Sequence, residues 1–200
     1  PLLFSQDSFI EEVNLSENLF TLPIPSAHIS FDGCKFINLG KCSFCAESFI
    51  SLFRALSVSK SVNVSLNSIF INEQSLDEVL NELASNELFG TPFLCSFFFN
   101  DVHLSSHQIH LLFQFLSSQS NLHYLSLDGL QIKEEHIENF MRICEMTNLK
   151  SLSVNSKERN NQVCIFNGPL LALKERRMIT ALSLANQGLD EEALESIWEI

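Results

Sequence analysis

The sequence predicts an α/β fold, a solenoid segment of about six strand-helix units stacked in chain order. Parallel strands would line a concave face, with helices behind them in a horseshoe. Three observations predict this. An apolar ladder, Leu122-x-x-Leu125-x-Leu127-x-x-Leu130-x-Ile132, returns as Leu149-x-x-Leu152-x-Val154 and as Ile179-x-x-Leu182-x-Leu184, closed by Leu189. Its period is about thirty residues, long enough for a strand and a full helix. Apolar residues at helical spacing follow nearly every ladder. The ladder is that of a leucine-rich repeat.

The clear C-terminal units locate weaker ones. Leu125 and Leu127 have counterparts in Phe97/Phe99, Val64/Leu66 and Ile29/Phe31. Leu130 and Ile132 map onto Val102/Leu104, Ile69/Ile71 and Cys34/Phe36. Ladders therefore start near 29, 64, 97, 125, 152 and 182, within repeats spanning 26–200 that are expected to belong to a longer solenoid. Residues 1–25 are not repeat-like: Phe9, Ile10, Val13 and Leu15 would cap the first ladder or end a preceding repeat, and Pro23 and Pro25 mark an extended segment. The connection Asn38–Ser43 reads as a long link before the first helix.

Each helix has its own signature. Phe49, Leu52, Phe53 and Leu56 keep one face of a helix, and so do Leu76, Val79, Leu80 and Leu83. Ser75 with Glu78 three residues on reads as the capping box of the latter. Ile109, Leu112, Phe113 and Leu116 repeat the spacing, then Ile137, Phe140, Met141 and Cys144 after an acidic first turn at Glu134 and Glu135. Leu194, Ile197 and Trp198 close the series behind Asp190. The fifth unit is broken: Asn155–Gln162 is polar and aperiodic, and Gly168-Pro169 reads as a bend.

Composition narrows the function. A net charge of −12 argues against nucleic acid, whose phosphates need a basic surface, and against an anionic membrane. No run of eighteen apolar residues is present to span a bilayer. The six cysteines fall mostly inside apolar patterns, where a free thiol acts as a small hydrophobe, and a reducing cytoplasm is expected. Asn14-Leu-Ser and Asn63-Val-Ser match the glycosylation acceptor pattern, but Asn63 lies in a predicted strand.

The unit lengths, the lengthened connection after Phe31-Asp-Gly-Cys-Lys-Phe36, and the disrupted Leu152-Ser-Val-Asn-Ser-Lys157 unit before Ile179 resemble the repeat domain of the CARMIL family. The resemblance covers residues 26–200 and rests on these irregularities, with no signature motif. It implies a multidomain regulator of actin capping protein. That family's capping-protein-binding motif is a basic segment outside its repeats, and no such segment occurs here, so no site residue carries over.

The residues themselves point to protein binding without catalysis, and no cofactor or metal is expected. Side chains beside the inward ladder positions should project from the concave face: Phe98, Tyr124, Ser126, Asp128, Ser153 and Asn155 are the candidate protein-binding residues, with Ser30, Asp32, Ser65, Asn67, Asn100, Ser151 and Ser183 around them. Phe98 and Tyr124 would be the anchors, because exposed aromatics are enriched in binding hot spots. Three sharper ideas compete. Cys42-Ser-Phe-Cys45 with Cys34 and His28 could ligate zinc, but no second ligand pair exists. Cys95 near His103, His107 and His110 could be a nucleophile with a base, yet nothing there resembles a pocket. A regulator of small GTPases is the alternative function, with Arg54, Arg142, Arg159, Arg176 and Arg177 as candidate contacts and Arg159 in the irregular loop.

Overall fold

A computed structural model describes residues 10–22, 31, 33–58, 62–85, 89, 92–157 and 165–200. The chain is α/β. Seven strands form one wholly parallel sheet: β1 (Glu12–Asn14), β3 (Phe36–Asn38), β5 (Val62–Ser65), β6 (Leu94–Phe98), β7 (Tyr124–Ser126), β8 (Ser151–Ser153) and β9 (Ala181–Ser183). They lie side by side in chain order. A second, two-stranded sheet pairs β2 (Leu19–Phe20) with β4 (Ser43–Phe44). The helices are α1 (Ala46–Ser57), α2 (Glu73–Ser85), α3 (Ser106–Ser117), α4 (Ile137–Cys144), α5 (Asn167–Arg176) and α6 (Glu191–Trp198). Each packs mainly on the next in sequence.

The sheet register aligns Val13, Ile37, Val64, Phe97, Leu125, Leu152 and Leu182 in one column. Alternation along a strand sends this column inward and its neighbours out. All but Leu182 are buried. The ladder starts expected at 64, 97, 125, 152 and 182 are therefore in register.

The first ladder, expected near residue 29, lies outside the described residues. Residues 23–30 and 32 lie outside the described residues, Phe31 is buried outside any strand, and Cys34 N–H closes a turn on the Phe31 carbonyl. The described strand that pairs with β5 is Phe36–Asn38, with Ile37 and Leu39 as its inward pair. Asn38–Ser43 is consequently no insertion. It holds the end of β3, a turn and the start of β4. Upstream, residues 12–14, expected to cap the first ladder or end a preceding repeat, pair with β3 as a further strand of the same sheet.

What fixes the register is a recurring backbone turn. Four residues after each inward position the chain enters the left-handed region, at Glu17, Lys41, Ser68, Asp101, Gly129 and Asn186. Ser156, at the same place in the fifth unit, is not among them. The first five of these turns donate their N–H to a carbonyl of the following unit, from Glu17 N–H to Gly40 O through Gly129 N–H to Asn155 O, at 2.7–3.0 Å. Non-glycine residues pay a steric penalty here, so the interstrand bond must hold them. Gly129 avoids it, and a Cβ there would sit 3.2 Å from Asp101 Oδ1 and 3.3 Å from Lys157 Cε.

Behind the sheet the core is phenylalanine. Phe20 stacks on Phe44 and Phe49 on Phe53, Phe44 meets Phe49 edge-on, all at centroid spacings of 4.8–5.2 Å, and Phe53 meets Phe93 and Phe115 edge-on. Phe113, Phe140 and Phe166 continue the layer beneath α3, α4 and α5. The caps differ from expectation in two places. Asn72, not Ser75, starts α2, accepting Ser75 N–H at 2.8 Å. Gly168 and Pro169 lie in the first turn of α5, where proline's missing N–H costs no bond. For α3 a full capping box joins Ser105 and Gln108.

Candidate functional site: the strand face

The outward side chains of the seven strands form one polar face. The sequence placed Phe98, Tyr124, Ser126, Asp128, Ser153 and Asn155 there, and the structure brings all six onto three adjacent units. They divide into two kinds.

The polar four belong to an interstrand hydrogen-bond row. Three residues after the inward position stand Asn67, Asn100, Asp128 and Asn155. Asn100 Oδ1 accepts Ser126 Oγ–H at 2.9 Å and Asp128 N–H at 2.7 Å. Asp128 Oδ1 accepts Ser153 Oγ–H and Asn155 N–H, both at 2.8 Å. Asn155 Oδ1 accepts Ser183 Oγ–H at 2.9 Å and Ala185 N–H at 2.6 Å. Asn67 Oδ1 takes only Asn100 N–H, at 3.0 Å, because Phe98 replaces the serine. One amide or carboxylate oxygen thus satisfies two donors of the next unit, repeatedly. These residues are half-buried or buried and already bonded. The sequence signal was Ser-Leu-Asn and its variants, whose polar ends flank a ladder residue at Leu66, Leu127 and Val154.

The aromatic pair is different. Tyr124 is 46% exposed on β7, between β6 and β8, and its ring lies 6.4 Å from that of His123. Its hydroxyl has no hydrogen-bond partner among the described residues. Phe98 is half-buried beside Ser126. A rigid face of small, mutually bonded side chains thus presents one large amphipathic ring.

The other candidate groups are not brought together. Cys42 Sγ–H donates to Leu15 O at 2.9 Å, and Cys45 Sγ lies 3.3 Å from Ser48 Oγ. Burial pushes the Cys34 and Cys42 thiols up, against weaker opposing backbone hydrogen bonds, and burial raises Cys144 strongly. Among the described residues no three His, Cys, Asp or Glu side chains are placed to hold a metal. His28, Arg159 and Cys164 lie outside the described residues. Cys95 meets His123, at 3.6 Å, while His110 bonds Asn139. Arg54 and Arg142 are in ion pairs with Glu82 and Glu138.

One polar cluster had no sequence signal. His136 is buried beneath α3 and α4. Its Nδ1 accepts Lys133 N–H at 3.0 Å, so the ring proton sits on Nε2, 2.6 Å from Ser106 Oγ. The serine hydroxyl in turn donates to Glu135. The ring donates to the serine and does not activate it; the cluster ties the α4 entrance to α3. Burial pushes the His136 pKa down, and the neighbouring Glu135 carboxylate only partly offsets this.

Among the described residues no helix is long and apolar enough to cross a membrane. Compared with known proteins, the chain matches no family model, and no curated protein matches it.

Proposed function

We propose that the chain is a leucine-rich-repeat solenoid of the long, helix-bearing kind, and that it serves as a protein-protein interaction module of a larger cytosolic protein. The solenoid reading is supported by chain-order strand pairing and by a left-handed turn recurring at one position of nearly every unit. The binding reading is carried by one observation: a half-exposed Tyr124 on a face whose small polar groups are already paired. Partner binding there needs little reordering, and a tyrosine brings contact area at low entropic cost.

The resemblance to CARMIL repeats sets actin-cytoskeleton regulation as the proposed context. One irregularity behind it, the Asn38–Ser43 connection, is an ordinary strand-to-turn segment. The resemblance now rests on unit length and on the disrupted unit after Leu152.

A photo-crosslinking amino acid at Tyr124 tests the reading, with Glu138 on the outer surface of α4 as the control position. Discrete crosslinked proteins from cytosolic extract at Tyr124 but not at Glu138 are expected. Identical patterns from both positions would refute the strand face as the binding surface.

A further inference from the structure

A second surface lies where strands give way to helices. There β2 and β4 form a short parallel ladder that Phe70 extends by a single bridge to Ser43. Phe44 N–H donates to Phe70 O at 2.9 Å, and Phe70 N–H to Cys42 O at 2.8 Å. Both backbone groups of Phe70 are thereby used on the β4 side. Alternation turns Ile69 C=O and Ile71 N–H to the opposite side. Neither has a partner among the described residues, and the next unit's equivalent residue, His103, does not pair with them.

The ladder stops above a groove of about 560 Å³, whose lining includes Phe70, Ile71, Leu76, Asp101, Val102 and His103. Phe70 is 63% exposed over it, although the other phenylalanines of this region pack inside. The rim is acidic. Asp101 lies on it, and Glu73 opens α2 one residue beyond Asn72. Asp101 pairs with Lys157 at 2.9 Å, but both side chains are largely in water, so the pair is weak and exchangeable.

We propose that this edge docks an extended basic-apolar peptide of another protein. Its backbone would bond Ile69 C=O and Ile71 N–H as an added strand, which supplies affinity. A bulky apolar residue would enter between Phe70 and Leu76, and a Lys or Arg would take Asp101, which supplies specificity. The net charge of −12 favours a basic occupant and disfavours a second copy of this chain.

The test pans phage-displayed random peptides of about twelve residues, longer than a typical strand, against the full chain. The recovered sequence is then titrated as a synthetic peptide. Recovered peptides should join a bulky apolar residue to Lys or Arg. They should bind at least tenfold more weakly to Phe70→Ser and to Asp101→Asn, and should slow amide exchange at Ile71. Both substitutions are at solvent-facing positions, and asparagine tolerates the left-handed backbone of Asp101. No enrichment, equal binding by both variants, or protection appearing at Tyr124 in place of Ile71 would each overturn the proposal. The last outcome would leave the strand-face reading standing, so the two fail separately.

Discussion

His136 shows how little of the residue scale is visible in the sequence. Lys133-Glu-Glu-His136 reads as a solvated acidic first turn, yet the imidazole is buried and neutral, held by Lys133 N–H and Ser106. Its lowered folded pKa means that the unfolded chain takes up the proton first. Its contribution is therefore full above the unfolded value of about 6.5 and is lost as pH falls from there through the lower folded value. Glu135, Lys133 and His110 are the charged groups around it. In denaturant titrations from pH 8 to pH 5.5, the stability gap between wild type and His136→Gln should narrow below about pH 6.5. A gap constant with pH would contradict the neutral assignment. The same limit applies to Asp128 and Asn155. Sequence places them on the strand face, but whether a small polar side chain there is free or bonded depends on the neighbouring strand's register.

Between elements, the joints are made by buried amides. Gln119, just after α3, is fully buried. Its Oε1 accepts Phe93 N–H and Leu94 N–H at 3.2 and 3.4 Å, and its Nε2 donates to Phe89 O and Ser118 Oγ, both at 3.0 Å. One side chain thus joins the end of α3 to the start of β6 and to Phe89. Gln119→Leu keeps the volume but strands these backbone groups. A loss of about 2–4 kcal/mol in chemical denaturation is expected, since each buried unpaired group costs about 1–3 kcal/mol. A loss below about 0.5 kcal/mol would show that the joint is not held this way. Helices were legible because their apolar spacing is long and redundant. Their ends were less so: Asn72 and Ser75 are both good caps, and only the turn preceding α2 decides between them. The fifth unit's helix, α5, was hidden by a Gly-Pro pair that reads as a bend when no neighbouring helix is in view.

Across the whole molecule, the regular feature is a turn more than a leucine. Three C-terminal ladders could be found from their apolar spacing alone, and those at 64 and 97 from their likeness to them. At the N-terminal end Ile29/Phe31 and Ile37/Leu39 offer the same spacing, and hydrophobicity cannot separate them. The strand pairing Ile37 with Val64 does, together with the left-handed residue Lys41 that follows. Interstrand bonds from Asn100, Asp128 and Asn155 then tie neighbouring units into a continuous face. On that face Tyr124, with Phe98 beside it, is the feature most suited to gripping a partner. The most direct test compares capture of cytosolic proteins by wild type and by Phe98→Ala/Tyr124→Ala, after circular dichroism has shown both to be equally folded. At least a tenfold loss of the specifically captured proteins in the double variant is expected, about the 1.4 kcal/mol that one anchor contributes. Equal capture by the two proteins would contradict the strand face as the binding surface.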